Sequence, residues 1–206
     1  METTALRSAY ERLLEAAATP GLGDAADGGW NADQILAHLL SVDAGIAAVA
    51  LGVVSGSRPT FDNRISLDTW NLHRIIAEHP GRAELIDHVR RQAAVLCDIA
   101  DQLNEKAAAV LVPSLFVSND ALGLDQPIPL AGLIDGLAEN HIPVHTQQLL
   151  GLRAAVPGGP ERPSNRHRPP SRPAGRRAAG VFWSTLAGHR GPGGQLTHSA
   201  PAAASP

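Results

Sequence analysis

The sequence predicts an all-α fold: a four-helix bundle with a short irregular or hairpin excursion before its last helix, followed by a disordered C-terminal tail. Three observations predict it. Apolar residues recur at helical spacing in long segments, a proline-containing β-branched stretch interrupts them, and the composition changes after Arg153. With 206 residues and 3% aromatics, the core has to be built from Leu, Ile, Val and Ala.

The first helix is expected at about residues 4–17, where Leu6, Tyr10, Leu13 and Leu14 share a face. "TPGLGDAADGG" is a loop. Its Gly21, Gly23 and Ala26 match GxGxxA, but no strand precedes them, so a nucleotide site is excluded. The second helix has a written start: Asn31 as cap, Gln34 three residues on as in a capping box, and Trp30 with Ile35 as a hydrophobic staple. Its apolar face runs through Ile35, Leu39, Val42, Ile46 and Val49, and His38 points with it. "SGSRPTFDN" breaks the chain. A shorter helix is expected at about 66–78 and a long one at about 82–105. "VLVPSLFVSNDALGLDQPIPL", with a turn at Asn119–Asp120, reads as the loose hairpin or extended excursion. The last helix is expected from near Leu130 to about Leu152.

Residues 1–153 form one expected domain with net charge −9, and residues 154–206 form the tail with net charge +6. The tail is rich in Pro, Gly and Arg and lacks the apolar surface to offset chain entropy. GC-rich coding DNA read out of frame gives such a composition, and the tail is expected to add nothing to stability. Its positive charge could attract nucleic acid, but the acidic domain would repel phosphate, so nucleic acid is not the expected partner. The single cysteine, Cys97, rules out an intramolecular disulfide and a thiolate zinc site, and points to a cytoplasmic setting. The N-terminus lacks a signal-peptide pattern. The apolar run 35–54 carries His38, Ser41 and Asp43, so it is expected to be a buried helix and not a membrane span.

Nine histidines are present. His73, His79 and His88 are expected on partly exposed helix faces, with His79 at a helix end that suits a charged ring. His141 and His145 stand four apart, one helical turn. With His38 they could hold one divalent ion such as Zn²⁺ or Ni²⁺. By spacing alone they could equally be unrelated core residues.

Placement narrows this. "GGWNADQILAHLLSVD" near the start and "GLAENHIPVHTQQLLGL" near the end resemble the DinB-like superfamily, which includes the N-terminal domains of mycothiol-dependent maleylpyruvate isomerases. "FDNRISLDTW" is similar to the stretch that follows the second helix in such proteins. The matching positions are Trp30, His38, His141, His145, Gln147 or Gln148, and Leu149, within about residues 5–153. The resemblance implies a four-helix bundle holding a metal on His38, His141 and His145. It also implies a low-molecular-weight thiol such as mycothiol as cofactor and an electrophilic small molecule as substrate. Homodimers are common among such bundles. Asp43 and Glu139 are candidates to orient the imidazoles, and Cys97 is expected to be inert. The alternative is a non-catalytic bundle with a degenerate site.

One departure bears on the choice. Pro143 lies between the two final histidines and cannot donate to the Glu139 carbonyl. The helix is expected either to kink with the pair intact, or to restart at Pro143 with His141 off the face.

Overall fold

The computed structural model describes residues 1–25, 29–118 and 121–152; the expected tail and the expected Asn119–Asp120 turn lie outside them. Among these residues the chain is mostly helical and carries a small three-stranded mixed sheet, which the all-α expectation did not include.

Helix α1 (Thr4–Ala17) buries Leu6, Ala9, Tyr10, Leu13, Ala16 and Ala17, the three-and-four spacing of one helical face. Helix α2 (Ala32–Val54) begins at the expected capping box: the Asn31 side chain accepts from the Gln34 N–H, and the Gln34 side chain accepts from the Asn31 N–H. Ile35, Leu39, Val42, Ile46 and Val49 are all buried. Helix α2 is long and apolar enough to cross a membrane by length and composition, and here it packs along the core.

The middle departs from expectation. A two-residue strand β1 (Phe61–Asp62) precedes helix α3 (Arg64–Leu67) and helix α4 (Thr69–Glu78). The single helix expected at 66–78 is split because Asp68 is extended, at φ −72° and ψ 123°, and its carboxylate accepts from the Asn71 N–H. That bond caps a new helix in place of prolonging the old one. Helix α5 (Arg82–Asp101) stops four residues before the expected Glu105, because Asn104 caps a separate short helix α6 (Glu105–Ala108).

The excursion is a hairpin of β2 (Leu111–Ser118) and β3 (Ala121–Pro129), antiparallel, with Leu111 opposite Pro129 and Phe116 opposite Leu124. Strand β1 adds to β2 in parallel, Phe61 opposite Ser114. Along β2 the residues Val112, Ser114, Phe116 and Ser118 turn inward by alternation. The Phe61 and Phe116 rings meet at 5.1 Å between centroids. Gly45 makes room for this on α2: a Cβ there would stand 3.2 Å from the Phe61 ring.

The final rod is α7 (Leu130–Gly136), a π-helical turn (Leu137–His141) and α8 (Ile142–Gly151). It packs on α1, and α1 and α2 both pack on α5. The shared core includes Leu13, Leu36, Leu39, Ile46, Leu85, Leu96, Leu133 and Leu149. Each fully buried aliphatic side chain contributes about 1.5–3 kcal/mol from removal of its surface from water.

Candidate metal centre

Pro143 sits in the first turn of α8, so the helix does restart there, yet His141 stays on the inner face. The π-turn reconciles the two. The Ile142 N–H reaches back five residues to the Leu137 carbonyl. The extra residue shifts the hydrogen-bond register just before the proline, without breaking the rod's course. Leu137, His141, His145 and Leu149 are then all buried along one line.

The structure brings the three expected residues together. His38 comes from α2, His141 from the π-turn and His145 from α8, at 3%, 8% and 4% exposure. The Nε2 atoms of His38 and His141 are 3.0 Å apart, and those of His145 and His141 are 3.1 Å apart. All three ligand atoms lie within 4.8 Å of one another. With Zn–N bonds of about 2.0–2.1 Å, two ligand nitrogens stand about 2.9 Å apart at a right angle and about 3.3 Å apart at a tetrahedral angle. The two short separations fall between those values; the His38–His145 pair, within 4.8 Å, would close to about 3.3 Å around a shared ion.

Proton placement decides what the cluster offers. His38 Nδ1 lies 2.8 Å from the Ser66 carbonyl oxygen, which only accepts, so Nδ1 carries the hydrogen. His145 Nδ1 lies 2.7 Å from Gln148 Oε1 and likewise donates. In the neutral rings both Nε2 lone pairs then face His141 Nε2. A hydrogen on that atom can serve one contact, never both. A cation at the meeting point serves all three.

Burial keeps the rings neutral. It is the first cause that pushes His38 down to about 3, with His145 adding to it against the Ser66 carbonyl. It pushes His145 down to about 4 against the Gln148 bond. It also holds His141 well below the ordinary histidine range, helped by the other two. Neutral imidazole is the form that ligates.

The supporting contacts differ from those expected. Asp43 is fully buried but does not orient His38; its pKa is pushed up to about 7 by burial, against the Tyr10 hydroxyl nearby. Neither Asp43 oxygen closes a well-formed hydrogen bond. Glu139 is exposed and acts on Asp135, whose pKa it helps to raise after burial. The orienting groups are Ser66 and Gln148. Gln148 lies three residues after His145, a spacing visible in the sequence. A main-chain carbonyl leaves no such mark. Ser66 is held by its own hydroxyl, which donates to the Asn63 carbonyl, and the Asn63 side chain both donates to and accepts from Val117 of β2. The sheet thus positions His38 through two residues. Trp30 walls the cluster, 4.8 Å from the His38 ring and 6.3 Å from that of His145 between centroids. An open hollow of about 480 Å³ runs along the final rod, lined by Glu139, Asn140, Pro143, Val144, Gln147 and Gln148.

Cys97 is buried, and burial raises its thiol to about 11, which agrees with the expected inert role. His73 is exposed, and His79 and His88 are half-buried.

Fold and site together define a mostly helical protein with a buried three-histidine cluster suited to a divalent ion. No protein-family model, curated protein or solved structure matches the chain.

Proposed function

We propose that the chain is a metal-dependent enzyme of the DinB-like bundle type, a transferase or isomerase acting with a low-molecular-weight thiol such as mycothiol. The observation that carries the reading is the convergence of three buried neutral imidazoles on one point, two with their other nitrogen pinned as a donor. His38, His141 and His145 would hold the ion, Zn²⁺ or Ni²⁺. When bound, such an ion lowers the pKa of a ligated thiol and favours the thiolate. The protein's own groups supply the rest. Ser66 and Gln148 fix the rings, and Trp30 and the buried helix faces restrict water. The hollow along the final rod reaches the cluster only through Gln148, the partner of His145, which stands in its wall. A π-turn at the ligand His141 fits this reading, since such turns recur at functional sites.

The test is metal content and thiol transfer. The purified full chain should carry one equivalent of Zn²⁺ or Ni²⁺, lost in both His38→Ala and His145→Ala, and should conjugate mycothiol to an electrophile only when loaded. A folded wild-type chain that takes up no ion would replace this reading with a non-catalytic bundle.

A further inference from the structure

We propose that His79 and His88 form a second, two-histidine site for a divalent first-row ion, at the corner between α4 and α5. His79 caps the C-terminal end of α4, where its Nδ1 donates to the Ile75 carbonyl at 2.9 Å. That bond fixes the tautomer and leaves the lone pair on Nε2. His88 Nδ1 stands 3.1 Å from that atom, the same separation found within the three-histidine cluster. The rings meet edge to face at 4.4 Å between centroids.

The backbone makes the meeting. Gly81, at φ +105°, lets the chain reverse directly after Pro80, so α5 returns past the end of α4. In the metal-free protein the His88 Nδ1–H donates to His79 Nε2. Moving that proton to His88 Nε2 turns both facing nitrogens into ligands, and the ion replaces one shared proton with two bonds. The negative end of α4 favours added positive charge at His79. Asp87 is already paired with Arg90 and Arg91. Among the described residues no third histidine, cysteine or carboxylate is close enough to complete a set, so water fills the remaining positions. Both rings are half-buried and reachable from solvent. Two imidazoles with water favour Cu²⁺ over Ni²⁺ and Zn²⁺.

Cu²⁺ titrated into the full chain at neutral pH tests this, with bound ion counted per chain and nitrogen couplings read by electron paramagnetic resonance. His79→Ala and His88→Ala should each lose one equivalent, and the double variant should lose that same one. His38→Ala should leave it in place, so the result stands or falls apart from the three-histidine site. An unchanged count in either folded single variant overturns the proposal. So does loss of two equivalents in the double variant, or loss of this equivalent in His38→Ala.

Discussion

His38 and Asp43 lie five residues apart on the same helix, and both are buried. The first has a partner at each ring nitrogen, Ser66 on one side and His141 on the other. The second has a well-formed hydrogen bond at neither oxygen. Burial drives both toward their neutral forms, which moves the histidine down and the carboxyl up. The difference teaches that burial alone does not mark a site. Convergence of partnered groups marks one, whereas a poorly partnered group with a shifted pKa records only the cost of its position.

The strongest way to break that contrast is to remove a member of each. His141→Ala should abolish stoichiometric metal binding, while Asp43→Asn should leave it intact; elemental analysis of both purified variants decides. Equal metal loss in the two would erase the distinction.

The pH dependence of stability sharpens it next, measured as urea midpoints of chelator-treated protein. The folded pKa of Asp43 is raised to about 7 from an ordinary 3.8, so the folded state holds the proton more tightly. Its term therefore favours folding below about pH 4 and is lost as pH rises toward 7, by about 4 kcal/mol in all. The three histidines have the opposite sign. Their folded pKa values are depressed, to about 3 for His38 and about 4 for His145, so their term is fully present above pH 6.5 and is lost as pH falls toward those values. Between pH 4 and 6.5 the three histidines outweigh the one carboxyl, so stability falls toward acid; Asp43→Asn removes the opposing contribution and should make that fall steeper.

Smaller effects follow. Gln148→Ala should weaken metal binding by about 10–100-fold through loss of the bond that orients His145, read by competition with a chelator. Pro143→Ala should cost about 0.4–1 kcal/mol, because it frees the unfolded chain, while metal stoichiometry stays unchanged. A loss of metal in that variant would show that the proline, and not the π-turn, keeps His141 on the face.

Legibility in the sequence was uneven for physical reasons. The start of α2 could be read because the Asn31 box uses side chains at a fixed offset. The three ligand candidates were legible by order and spacing. Asp68 and Asn104 each started a new helix inside what looks like one periodic run, since a short side chain bonded to the backbone outweighs periodicity. Strand β1 has two residues and no period to detect. The proline posed the wrong dilemma: restart and an intact pair coexist because a π-turn inserts one residue, which no side chain announces.

The brace on His38 is a peptide oxygen, and every residue type has one. Replacing the side chain at position 66 therefore cannot delete the acceptor; only a shift of helix α3 can displace it. Sensitivity is transferred to Asn63, whose amide clasps Val117 on the hairpin. Damage to that ribbon would reach the imidazole through Asn63 and Ser66.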